Sequence, residues 1–216
     1  MTKIYPESGV EIQGFVARHY DAVMNVLTLG LYRNFIQSAV AAMNIVSDDR
    51  ILDLGAGTGR NALLMLQYLS PGGSVTGLEI SDIMIRQFQQ NCRTYPNAGI
   101  LKKRIDQPLG YTDEFTKVFM SFVLHGFPQQ IRRIIIENAW NALKSGGEFI
   151  VLDYNEFIVD EMPFHARIPF KAIECPYAFE YVERDWKSIL ENTGFGEFSE
   201  KLFLKKYIRL LKMKKL

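Results

Sequence analysis

The stretch Ile51-Leu52-Asp53-Leu54-Gly55-Ala56-Gly57-Thr58-Gly59-Arg60 constrains this chain more than any other: an apolar run enters three alternating glycines and leaves as a helix. Glycine at Gly55, Gly57 and Gly59 clears side chains from one face of a sharp turn, so backbone N–H groups can approach a ligand and positive φ costs nothing. A strand end, a glycine turn and a helix N-terminus together form a ligand crevice at the carboxyl edge of a parallel sheet. Spacing narrows the ligand. A dinucleotide fingerprint needs glycine where Arg60 stands, and a phosphate loop needs a terminal Gly-Lys-Ser/Thr that is absent.

Two acids extend the pattern. Glu79 ends the next apolar run, Ser74 to Glu79, and an acid about 20 residues beyond such a loop can accept hydrogen bonds from both ribose hydroxyls. Asp106 follows a third apolar run. By themselves these residues also suit turn glycines and loop acids of another α/β sheet. The order Asp-x-Gly-x-Gly-x-Gly, however, resembles motif I of the class I S-adenosylmethionine-dependent methyltransferases. That resemblance implies S-adenosylmethionine as cofactor and S-adenosylhomocysteine as product. Asp53, Gly55, Gly57 and Gly59 would seat its methionine part, Glu79 its ribose and Asp106 its adenine. Ser121 and Tyr20 join this set, with Tyr20 closing over the carboxylate side.

The rest of the chain reads as one domain over residues 1–216, long enough to bury a full core. Residues 1–45 form an N-terminal helical cap, with apolar residues at helical spacing on either side of Gly30 predicting two helices. Strands are expected at 50–54, 74–79, 100–105, 117–122 and 148–153, separated by helical patterns over 60–69, 81–93 and 128–144. That alternation predicts right-handed crossovers and a mostly parallel sheet with helices on both faces. Ser81 is a candidate helix cap. Residues 155–181 break the rhythm with Pro163, Pro169 and Pro176 among many aromatics, and read as an insertion on the substrate side. A helix over 183–192 and runs over 198–204 and 207–213 complete a Rossmann-like, seven-stranded α/β fold with a C-terminal antiparallel hairpin.

Lys+Arg 25 against Asp+Glu 24 leaves no global field for nucleic acid. Residues 201–216 nevertheless hold Lys201, Lys205, Lys206, Arg209, Lys212, Lys214 and Lys215 and no acid. This basic C-terminus suits a lysine-guarded edge strand or, as the sharper alternative, an amphipathic helix giving weak membrane-surface association. Two cysteines form no disulfide framework, the first residues carry no apolar signal core, and a cytoplasmic location with no metal is expected.

A closer resemblance runs through Tyr20-Asp21-Ala22-Val23-Met24-Asn25, Gly30-Leu31-Tyr32-Arg33, Ser121-Phe122, Leu143-Lys144-Ser145-Gly146-Gly147 and Thr193-Gly194-Phe195. Together these are similar to the ubiquinone/menaquinone-biosynthesis C-methyltransferases. After the Ser-Phe pair that family continues Gly-Leu-Arg-Asn, whereas this chain has Val123-Leu124-His125-Gly126. The expected reaction is therefore methyl transfer to a small-molecule acceptor: a quinol, a phenol or an amine. His125 is the candidate base and Asp153, ending the fifth strand, its orienting partner. His19 and His165 read as surface or packing residues, and Cys175 as a buried inert thiol or, as the sharper alternative, a thiol entering the substrate pocket. Methylation of RNA, or a non-catalytic cofactor-binding protein on the same scaffold, are the competing readings.

Overall fold

The structure, a computed structural model, describes Tyr5, Ser8 and residues 31–216. The first predicted N-terminal helix, Tyr20 and His19 lie outside the described residues. The second is α1 (Leu31–Ala41), which buries Ile36, Ala39 and Val40.

Seven strands make one sheet: β1 (Arg50–Leu54), β2 (Ser74–Glu79), β3 (Ala98–Lys102), β4 (Phe115–Ser121), β5 (Leu143–Tyr154), β6 (Phe195–Phe203) and β7 (Ile208–Lys215). Their order is β3-β2-β1-β4-β5-β7-β6; the first five run parallel, and β7 pairs antiparallel with both β5 and β6. The crossovers are α2 (Arg60–Leu66), α3 (Asp82–Asn91) and α4 (Gln129–Ala142). The strands are apolar on both faces because helices cover both. Along β1 and β4 the period of two sends Leu52, Leu54, Val118 and Met120 into one core layer and Ile51 and Phe119 into the other. Ser81 caps α3, its hydroxyl accepting from the Met84 amide at 3.4 Å.

Several boundaries differ from the sequence reading. Strand β5 starts at Leu143, opposite Phe115, and the ladder then slips so that Lys117 faces Glu148. The Ser145-Gly146-Gly147 turn is thus an irregularity inside the strand, and Gly147 is required there: a Cβ would lie 2.9 Å from the Lys144 carbonyl oxygen. Strand β6 begins at Phe195, directly after Gly194, earlier than its apolar pattern suggests.

Of the basic C-terminus, Lys201 lies on the edge strand β6, Lys205 and Lys206 on the turn that follows, and the remaining cations on β7, which is internal to the sheet. The β7 residues Ile208, Leu210, Leu211 and Met213 are buried, so this strand is neither an edge nor an amphipathic helix. Lys215 sits 3.9 Å from the Trp140 ring centroid and 2.8 Å from Asp113, while Lys214 pairs with Glu197. No described helix is long and apolar enough to cross a membrane.

Residues 155–181 are structured: a 3₁₀ turn at Val159–Glu161 leads to α5 (Phe164–Ile173) and α6 (Pro176–Val182). Strand β6 is then reached through α7 (Trp186–Glu191), capped by Asp185.

Candidate functional site

Gly55, Gly57 and Gly59 all have positive φ, at 81°, 55° and 80°. The loop is bound to the tip of β2, because the amides of Gly55 and Ala56 both donate to the Leu78 carbonyl at 2.9 and 3.0 Å. A Cβ at Gly55 would lie 2.7 Å from Val123, and one at Gly59 would lie 2.7 Å from Phe88. Nothing lies within 4 Å of a Cβ at Gly57. Two glycines thus let the loop pack against the body, and the third turns a bare backbone face outward.

Glu79 stands beside that face. Its Oε1 accepts from the amides of Ile80 and Ser81, each at 2.8 Å, and its Oε2 accepts from the Gly57 amide at 3.1 Å. Asp53, the penultimate residue of β1, is 1% exposed, and its Oδ2 has no hydrogen-bond partner among the described residues. Burial, with the Glu79 charge adding to it, pushes the Asp53 carboxyl up to about 7. A buried acceptor without a donor is costly. A ligand that carries cationic or hydroxyl donors into this loop removes that cost, so the residues present fit an amino-acid and ribose ligand.

Asp106 lies in the loop after β3 and is already occupied. Arg104 donates to both carboxylate oxygens, with Nε at 2.9 Å from Oδ1, and the Tyr5 hydroxyl donates to Oδ2 at 2.6 Å. Burial works against the Asp106 anion, but these bonds outweigh it and hold the carboxyl below its ordinary value. The Tyr5 hydroxyl is pushed up to about 12, first by burial and then by Asp106. Nearby, the Ser8 hydroxyl donates to the Gly126 carbonyl at 2.6 Å.

Ser121 ends β4, half-buried, opposite Leu152. The next residue, Phe122, takes φ 53°, a conformation unfavourable for a bulky side chain. That turn brings Val123 against Gly55 and starts the 3₁₀ turn Leu124–Gly126 that carries His125. His125 and Asp153 meet: Nδ1 is 2.7 Å from Asp153 Oδ1, and the His125 amide donates to Asp153 Oδ2 at 3.2 Å. Desolvation opposes the imidazolium, yet Asp153 and then Glu174 outweigh it, so the His125 pKa stands above its ordinary value.

Three partners of His125 went unread in the sequence. Glu174, at the end of α5, places Oε2 3.6 Å from His125 Nε2 and accepts the Tyr154 hydroxyl on Oε1 at 2.6 Å. The Tyr154 ring centroid lies 5.1 Å from the imidazole, and burial followed by Glu174 raises its hydroxyl pKa far above the ordinary value. Arg132 is fully buried on α4, donating to the carbonyls of Leu124 at 3.2 Å, His125 at 2.9 Å and Tyr177. Its position three and four residues before Ile135 and Ile136 was the available signal. His165 is exposed and Cys175 half-buried. Among the described residues no group of three or more His, Cys, Asp and Glu is placed to hold a metal ion.

Comparison with known proteins adds four findings. A family model described as a methyltransferase domain matches residues 51–147, from β1 through the Gly146-Gly147 turn. A ubiquinone/menaquinone biosynthesis C-methyltransferase of Sinorhizobium fredii is 26% identical over 211 residues, 85% of this chain and 80% of that protein. A putative O-methyltransferase of Nostoc punctiforme superposes with TM-score 0.75 at 16% identity, over 96% of this chain and 64% of its own. A magnesium protoporphyrin IX methyltransferase of Synechocystis with bound S-adenosylhomocysteine gives TM-score 0.65 at 20% identity, over 86% and 84% respectively.

Proposed function

From a chain that is a class I S-adenosylmethionine-dependent methyltransferase, we propose methylation of a small aromatic acceptor bearing an ionisable hydroxyl, a phenol or quinol, with His125 taking its proton. The observation that carries this reading is the buried His125–Asp153 pair, 2.7 Å apart, on the turn whose Val123 abuts the glycine loop.

S-adenosylmethionine, when bound, supplies a methyl carbon already activated on a sulfonium. The chain's task is to align an acceptor with it and to exclude water. The open face at Gly57 and the carboxylates of Asp53 and Glu79 hold the amino-acid and ribose parts. Asp106 acts on the adenine end only where Tyr5 or Arg104 yields one of its oxygens. Ser121 lies at the strand tip between the two halves of the site.

On the acceptor side, Asp153 accepts from Nδ1 and so leaves Nε2 as the nitrogen that receives a proton. Tyr154 and Tyr181 meet the imidazole edge to face at 5.1 and 6.4 Å, and Phe170 backs Tyr154 at 5.2 Å. Aromatic walls with a few convergent polar groups suit a flat ring. The Sinorhizobium relative is named for C-methylation in quinone biosynthesis, which puts quinols first on an acceptor panel.

The test is transfer of labelled methyl from S-adenosylmethionine to quinols, phenols and amines. Hydroxyarenes are expected to be methylated at a rate that rises with pH as His125 loses its proton. Methylation of amines alone, or an undiminished rate in His125→Gln, overturns the reading.

A further inference from the structure

Helix α5 is held to the body lightly. Phe170 is its one buried residue, while Phe164, Ile168 and Ile173 are 70%, 50% and 78% exposed. Just before it, Ile158 is 57% exposed. Four of the eleven large apolar side chains exposed on the described surface therefore fall within residues 158–173. On a helical projection Phe164, Ile168 and Lys171 share one face.

A second apolar point stands at the same end of the sheet. Leu204, 62% exposed, heads the β6–β7 turn, where Leu204, Lys205 and Lys206 all take positive φ. Asn155 ties this turn to the end of β5: its amide donates to the Tyr207 carbonyl and its Nδ2 to the Lys206 carbonyl, each at 2.9 Å. Tyr207 meets Phe157 edge to face at 5.1 Å and Phe157 meets Phe170 in the same way at 5.6 Å, so an aromatic row joins the turn to α5.

The charges around these points are mainly positive. Lys205 and Lys206 are exposed and enter no ion pair among the described residues. Lys171 pairs with Asp160 at 2.8 Å, and Arg167 donates to the Asp160 carbonyl at 2.9 Å. Against these four cations stand Asp160 and Glu161, a surplus of two positive charges.

We propose that this edge, α5 together with the Leu204–Lys206 turn, docks on an anionic lipid bilayer. Apolar side chains are carried on a helix with Arg167 and Lys171 and on a turn with Lys205 and Lys206, and the aromatic row joins the two. Phe164, Ile168 and Leu204 enter the acyl boundary, while Lys171, Lys205 and Lys206 extend their stems and reach lipid phosphates. Glu174, next to the last residue of α5, lies 3.6 Å from His125 Nε2, so the docked edge borders the proposed base. The surface does not depend on the acceptor's identity, and its failure leaves the proposed reaction standing.

The experiment is flotation of the whole chain with vesicles of phosphatidylcholine, with and without phosphatidylglycerol, at low and high salt. Binding to the anionic vesicles, weakened by salt, is expected. The pairs Phe164→Ser with Ile168→Ser, and Lys205→Glu with Lys206→Glu, are each expected to lower partition on the order of tenfold or more. Val46→Ser with Leu101→Ser removes exposed apolar groups elsewhere and is expected to change nothing. Calorimetry with S-adenosylmethionine confirms in every variant that the fold persists. Absence of wild-type binding, or equal partition in all variants, overturns the proposal. So does a light-scattering mass that falls from dimer to monomer on Phe164→Ser without vesicle binding, which would make the patch a contact between copies.

Discussion

The two halves of the site are built from different material. On the β1–β2 side the proposed ligand-facing surface is mostly backbone: a bare Gly57, a loop whose amides are tied to Leu78, and two carboxylates, the buried Asp53 and Glu79, the latter held by three amides. On the β4–β5 side it is side chains: His125 between Asp153 and Glu174, walled by Tyr154 and Tyr181 and held from behind by Arg132. A backbone surface can serve one ligand whatever the neighbouring side chains become, whereas a side-chain surface is free to change with the acceptor.

Replacing His125 by Ala attacks the acceptor half alone and should give the largest effect. A general base contributes about 10²–10⁴-fold, and a kcat loss of that size with unchanged cofactor affinity is the expected result in steady-state assays. Gly55→Ala attacks the cofactor half through its packing. With φ 81° and Val123 at 2.7 Å, the added methyl combines left-handed strain with overpacking, for about 2–4 kcal/mol of lost stability. Gly57→Ala, with nothing within 4 Å, is expected to cost about 1–2 kcal/mol; thermal unfolding of the two variants checks the difference.

Two smaller effects are read through pH. The His125 pKa is raised, chiefly by Asp153 against burial, so Asp153→Asn should move the rising limb of the kcat profile to lower pH while lowering kcat. Asp53 has a folded pKa of about 7 against an ordinary 3.8. Its proton is held more tightly in the folded state, so its stabilising contribution is complete below pH 3.8 and is lost as pH rises through 7. Asp53→Asn should therefore flatten the fall in melting temperature across that window, measured without cofactor.

The contrast also explains which residues could be found in the chain. Glycine spacing and the acid at the next strand tip are local, so Gly55, Gly57, Gly59 and Glu79 were readable where they stand. Ser81 was readable for the same reason, since a cap acts over three residues. That His125 and Asp153 would meet was legible because each ends or follows a strand of one parallel sheet, where topology brings strand tips together. Glu174 and Tyr154 were not, because Glu174 reaches His125 only through the fold of α5. Arg132 was passed over because a charge on a buried stripe contradicts the hydrophobic pattern, and the three carbonyls, Gln129, Glu180 and the Tyr181 and Trp186 rings that offset its burial come together only in the fold. The hairpin strand β7 was legible, but its internal place in the sheet was not, because its lysines hide a buried ladder and their partners Asp113, Glu197 and Trp140 are joined to it only by the fold.

Calorimetric titration of S-adenosylmethionine into wild type, Glu79→Ala and His125→Ala separates the two halves in one experiment. Loss of Glu79 should weaken binding by about 1.5–3 kcal/mol, as for hydrogen bonds to a charged group, while His125→Ala should bind as wild type does. Equal weakening in both variants would contradict a cofactor half and an acceptor half built from separate parts.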